Sequence, residues 1–264
     1  RIELLNHYKN KNSDAAFVML ESDAKRTYVA QSGLIGLNGP DSNGKGRPVY
    51  EVVKTDYTLA DAKSVKNKEG QTVQELTVPL VYKNADGIEV IKSFRFQQGE
   101  YPIVVSHKVV NRSQQNWQGQ MFGQLKRDNS EDPGKSDQGI FTLGTFLGGA
   151  WGTPDEHYNK LKFATFSAAK LATEAKGGWV AMVQHYFVSA WVPGSLKLTQ
   201  ADGQPYVAKL ESRKSTDDMN IIGFTSPTMN VPAGTVAEID ATFYSGPKIQ
   251  SELKGLAEGL NQTV

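Results

Sequence analysis

The chain has 264 residues, 39% hydrophobic and 22% charged, which is enough apolar material for a sizeable core in one or two domains. Lys plus Arg number 29 and Asp plus Glu 28, a net charge of +1 that argues against an electrostatic nucleic-acid or membrane surface. There is no cysteine, which excludes disulfides and thiolate chemistry.

In chain order, the sequence opens at Arg1 rather than Met and runs directly into the patterned segment IELLNHY, so it is expected to be a piece of a longer protein. Short strands are predicted at 27–31 and 49–53, either side of the Gly/Pro/Asn-rich loop from Asn38 to Pro48. The clearest hairpin comes next. Leu76, Val78, Leu80 and Tyr82 alternate, Asn84-Ala85-Asp86-Gly87 makes a turn, and Ile88, Val90, Phe94 and Phe96 resume the alternation. Asp-Gly accepts the positive φ that tight hairpin loops need. Tyr101, Ile103, Val105 and Val109 continue the pattern, with His107 on the same parity. Further strands are predicted at 121–125, 140–146, 161–166, 196–199, 206–210, 221–224 and 236–244, and Lys126 to Gln138 reads as a polar loop.

The stretch GGWVAMVQHYFVSAWV, Gly177 to Val192, is apolar on both parities and carries no acidic or basic residue. A strand apolar on both faces is covered on both faces, so this is predicted to be a central strand pair. Two helices are predicted. One, of about two turns, begins at the capping box Thr153-Pro154-Asp155-Glu156 and runs through Lys160. The other spans 247–261, where Ile249, Leu253, Leu256 and Leu260 form one apolar stripe and Gly255 and Gly259 each weaken the helix by about 1 kcal/mol. No fixed-period repeat or long linker divides the chain. One domain, residues 1–264, built as an all-β, two-sheet antiparallel sandwich, is the resulting expectation.

Chemistry is sparsely signalled. The four histidines at 7, 107, 157 and 185 are too scattered for a local metal motif, and no nucleophile elbow, P-loop or dinucleotide fingerprint is present. His107 and His185 fall within predicted strands, where two hydrogen-bonded structural histidines are the plainer reading. The best acid–base nomination is His107 or His185 with Glu238, and the tryptophans, Trp179 among them, either line a cleft or fill the core. The C-terminal stripe either packs on the chain's own sheet or meets a partner. No cofactor, metal or nucleic acid is called for.

One ordered series of motifs goes further. Gln31-Ser32-Gly33-Leu34, Gly39-Pro40-Asp41, Arg47-Pro48, Phe122-Gly123-Gln124-Leu125-Lys126, Thr153-Pro154-Asp155-Glu156, Lys176 to Met182 and Gly246-Pro247 resemble, over nearly the whole chain, the large periplasmic domain of the bacterial YidC membrane-protein insertases. The resemblance implies a β-supersandwich of galactose mutarotase-like type, ending in an amphipathic helix that leads toward a membrane part lying outside this chain. It implies a non-catalytic interaction and positioning module at the periplasmic face of the inner membrane. Its partners would be the SecDF accessory complex and the Sec translocon, with nascent inner-membrane proteins handled by the membrane part. The stripe Ile249, Leu253, Leu256 and Leu260 would pack on the partner or membrane domain, and the SecDF-facing surface is expected around Phe122 to Tyr158. The fold also leaves an alternative, a carbohydrate-binding protein or aldose epimerase, since fold does not give function.

Overall fold

The computed structural model describes residues 1–8, 14–42, 44, 46–67, 69–132, 146–168, 170–198 and 203–264. Among them nineteen strands form two sheets, antiparallel throughout. The first sheet has the order β1 (Ile2–Tyr8), β2 (Ala16–Ser22), β3 (Thr27–Ile35), β9 (Trp117–Arg127), β17 (Asn220–Thr225), β16 (Val207–Lys214) and β12 (Ala172–Lys176), with β18 (Met229–Val231) also paired to β9. The second runs β11 (Asn159–Lys162), β10 (Gly148–Gly152), β13 (Trp179–Val183), β14 (Phe187–Leu198), β19 (Val236–Pro247), β8 (Pro102–Asn111), β7 (Ile88–Gln97), β6 (Thr72–Lys83) and β4 (Glu51–Val52). Beside it, β5 (Lys63–Lys66) pairs with β6 and β15 (Gln204–Pro205) with β14.

Period-two burial builds the main core between the sheets. In β9, Trp117, Met121 and Leu125 point inward while the glutamines between them do not. They meet Val105 and Val109 of β8, Val180 and Met182 of β13, and Ile239 and Phe243 of β19. The hairpin predicted at Asn84–Gly87 joins β6 to β7: the Asn84 carboxamide accepts from the amides of Asp86 and Ile88, and Gly87 takes φ 91°.

The doubly apolar stretch forms the hairpin β13–β14, and all five residues of β13 are buried. One parity enters the inter-sheet core. The other faces away from the first sheet and is covered by α1 (Gln250–Leu256) and the 3-10 turn Leu260–Thr263. A third layer thus explains a strand apolar on both sides.

Several expectations are corrected. No helix begins at Thr153. Its hydroxyl does accept from the Glu156 amide at 2.9 Å, but its own amide donates to the Glu156 carbonyl, which closes a turn. Residues 159–162 then pair with β10, so the ladder takes the backbone groups a helix needs. The C-terminal helix is shorter than 247–261: Pro247 still belongs to β19, and the helix stops where Ala257 turns extended and Gly259 adopts φ 81°. Only Glu51–Val52 of the 49–53 prediction pairs, and the 161–166 prediction yields a strand only to Lys162 before a 3-10 turn. His185 lies in the β13–β14 turn rather than in a strand. Most of the 140–146 prediction, and 133–138 of the polar loop, lie outside the described residues.

Candidate functional site

Two features stand out, one on each face of the second sheet. On the outer face, Trp179 anchors the C-terminal segment. Its indole Nε1 donates to the Glu258 carbonyl at 2.8 Å, and its ring stacks on Tyr158 at 6.2 Å. Leu253 and Leu260 are fully buried against Trp179, Ala181, Val188 and Tyr244, with Leu256 packed at the margin. Ile249 is half-buried where the chain leaves β19. The stripe is therefore spent largely on the chain's own sheet.

On the inner face a cleft of roughly 770 Å³ opens between the sheets. Its wall on the second sheet is Phe94, Phe96, Ile103, Val105, Trp191 and Phe243, and across from them β3 offers the small side chains of Ala30 and Ser32. Large residues facing small ones leave the space open. The strand registers align Phe96, Ile103, Phe243 and Trp191 across four strands, then Phe94 and Val105, then Lys92 and His107. Lys92 therefore stands at the inner end, next to packed Val90 and Val109.

That end is polar. Lys92 Nζ donates to the Ser32 carbonyl at 2.7 Å; burial pulls its pKa down to about 8, while Asp41 acts in the opposite direction. Asp41 accepts from the Leu34 amide at 2.8 Å, and burial raises its carboxyl above the usual range against the fields of Lys92 and Arg47. Asp41 reaches this position because residue 33 is glycine, where a Cβ would lie 2.3 Å from its Oδ2. The Tyr50 hydroxyl is buried with no hydrogen-bond partner, and burial, then Asp41, raises its pKa. His107 is fully buried with neither ring nitrogen hydrogen-bonded; burial, then Lys92, holds it well below its ordinary value.

The nominated residues do not converge. His107 lies beside the cleft end, whereas Glu238 pairs with Lys108 and so points to the opposite face of the sheet. His185 is exposed, edge-on to Tyr186, and Trp179 belongs to the outer layer. No acid–base pair built from them faces a common space. Sequence reasoning missed Lys92 although its signal was present: a lysine on the apolar parity of Ile88, Val90, Phe94 and Phe96 is out of pattern. Asp41 and Arg47 stood out only as members of motifs. Among the described residues no cluster of three or more His, Asp or Glu side chains is placed to hold a metal ion. None of their helices is long and apolar enough to cross a membrane.

The family model described as the YidC periplasmic domain matches residues 1–264. The chain belongs to this family. Similar curated proteins include the membrane protein insertase YidC of Marinomonas sp. (strain MWYL1), 40% identical over 99% of this chain and 43% of that protein. The YidC of Stutzerimonas stutzeri (strain A1501) is 43% identical over 95% of this chain and 41% of its own length. The chain thus spans less than half of these relatives, which are named membrane protein insertases. Among solved structures, a galactose mutarotase related enzyme from Lactobacillus acidophilus aligns at TM-score 0.40 and 10% identity, covering 70% of this chain and 78% of that one. An α-galactosidase from Lactobacillus brevis aligns at TM-score 0.42 and 10% identity over 86% of this chain and 28% of its own. These distant likenesses carry no argument about the activity of a YidC periplasmic domain.

Proposed function

We infer that residues 1–264 act as one non-catalytic unit on the periplasmic side of the inner membrane, as an interaction and positioning module of a membrane-protein insertase. The family match over the whole chain carries this reading. The insertase work itself, on nascent inner-membrane proteins, belongs to the portion of the protein outside this chain. The positioning role is supported by the C-terminal segment, which Trp179, Leu253 and Leu260 fasten to the second sheet. In a protein more than twice this length, such a fastening sets the orientation of the sandwich relative to the membrane part.

For a SecDF-facing surface we propose one part of the expected stretch. Phe122–Arg127 belongs to β9, in the middle of the first sheet, and Gly148–Gly152 is a paired strand. Among the described residues of the expected stretch, the turn Pro154–His157 offers a run of four exposed side chains to a partner of the Sec translocon. In the full-length protein, Asp155→Lys with Glu156→Lys is expected to reduce co-purification with SecDF. Unaltered recovery sinks this surface. No observation favours the epimerase alternative, because His107 and Glu238 lie on opposite faces of one sheet.

A further inference from the structure

We propose that the inter-sheet cleft is a binding site for a long-chain carboxylate, whose acyl chain lies along the aromatic wall and whose head group meets Lys92 and the Tyr50 hydroxyl at the inner end. The inference goes beyond the positioning role and does not depend on it.

Three observations carry it. The first is charge. Among the ionic residues lining the cleft, Arg1 pairs with Glu3, and Glu21 with Arg26. Lys92 and Arg47 remain against the single carboxylate of Asp41, which is itself bound to the Leu34 amide. One positive charge is left over, which matches a monoanion.

The second is unfilled donor capacity. Lys92 has three N–H groups and uses one on Ser32, while the Tyr50 hydroxyl has no partner. A buried donor without an acceptor is costly, so a ligand oxygen arriving here recovers free energy. His107, the register neighbour of Lys92, is fully buried and unpartnered behind this end and does not itself line the cleft.

The third concerns the ligand body. On the second sheet the wall is the face of strands already paired in ladders, β7 with β8 and β8 with β19, whereas β3 pairs with β9 but meets β2 only at Thr27 and Tyr28, so its 29–32 edge is open. An extended peptide laid along the aromatic wall would find few partners there for its amides, which are costly to bury unpaired. A polymethylene chain brings no such groups. A volume of roughly 770 Å³ falls within the range of about 300–1,000 Å³ typical of small-molecule sites.

Trp191 lines the cleft, whereas Trp179 belongs to the outer layer, so indole quenching reports occupancy. The 264-residue chain is titrated with 9,10-dibromostearate, and separately with 9,10-dibromostearyl alcohol, below their aggregation limits. Saturable quenching by the acid is expected, absent in Trp191→Phe and at least about tenfold weaker in Lys92→Met. The alcohol should bind the unmodified chain no better than the acid binds Lys92→Met. Melting temperatures of both variants are recorded alongside, and Tyr50→Phe serves as a second, milder head-group variant with a several-fold loss expected. Equal affinity for acid and alcohol, unsaturable partitioning, or quenching that survives Trp191→Phe overturns the proposal. So does an apolar peptide that displaces the probe more tightly than unbrominated stearate does.

Discussion

Gly255 and Gly259 look alike in the sequence, yet alanine at the two positions should act in opposite directions. Gly255 lies in the last turn of α1, is exposed, and has nothing within 4 Å of the place its Cβ would occupy. Alanine there removes backbone freedom from the unfolded chain and adds helix propensity, a gain of about 0.5–1 kcal/mol. Gly259 has φ 81°, and its Cβ would lie 1.9 Å from the His157 carbonyl oxygen. Left-handed backbone costs a non-glycine residue about 1–2 kcal/mol, and the clash with main-chain oxygen adds about 1–3 kcal/mol more. The difference between the two variants is therefore about 3 kcal/mol or more, which is roughly 6–12 °C in Tm for a chain of this size. Thermal unfolding followed by near-ultraviolet circular dichroism measures the shift. Amide exchange over 250–263 shows whether Gly259→Ala frees only the C-terminal segment, exposing Leu260. If Gly259→Ala melts with or above the unmodified chain, the account of how this segment docks is wrong.

The buried polar groups lead to three further outcomes. Lys92 keeps its proton up to about pH 8 when folded but to about 10.5 when unfolded, so stability should rise across that window as pH increases, by at most about 3 kcal/mol. Lys92→Met should accordingly stabilise the chain by about 1–3 kcal/mol at pH 7, with the gain vanishing toward pH 10.5 in urea titrations; no gain at pH 7 contradicts the burial argument. His107 stays neutral in the fold while the unfolded chain protonates near pH 6.5, so stability falls as pH drops below that value. His107→Leu should lose less than the unmodified chain between about pH 7 and 5, and parallel urea midpoints would remove His107 from the explanation. Arg127 is fully buried, bonded to Asp132 at 2.7 Å and to the Ser130 carbonyl, with its guanidinium 5.0 Å from the Tyr28 ring centroid. Arg127→Met strands a carboxylate and should cost about 3–5 kcal/mol, part of which Asp132→Leu in the same chain restores; a double-mutant cycle with no coupling refutes that pairing.

Local alternation and turn chemistry were enough to reveal the sheets. The run from Leu76 to Phe96 reads as a hairpin because side-chain period and turn residues are both properties of neighbouring positions. The two-sided apolarity of Gly177 to Val192 gave notice of a second buried face. The regularity of Ile249, Leu253, Leu256 and Leu260 likewise told of a helix that needs a surface. What the sequence lacked was the partner of each element. Thr153 to Glu156 carries a helix-start signal that the backbone answers only as a turn, since pairing of 159–162 with β10 is a contact no local rule encodes. The second helix stops at Leu256, and Gly259 beyond it takes a left-handed turn with His157, about a hundred residues earlier in the chain, packed against it. The cleft is the extreme case. Lys92 was visible as an anomaly of parity, but its meeting with Ser32, Asp41, Tyr50 and His107 depends on strand register and on two sheets closing over each other. Periodicity is written residue by residue, so the sequence by itself settled which faces are apolar. Which face meets which, and what is left open between them, is a matter of long-range pairing and packing that only the tertiary structure decided.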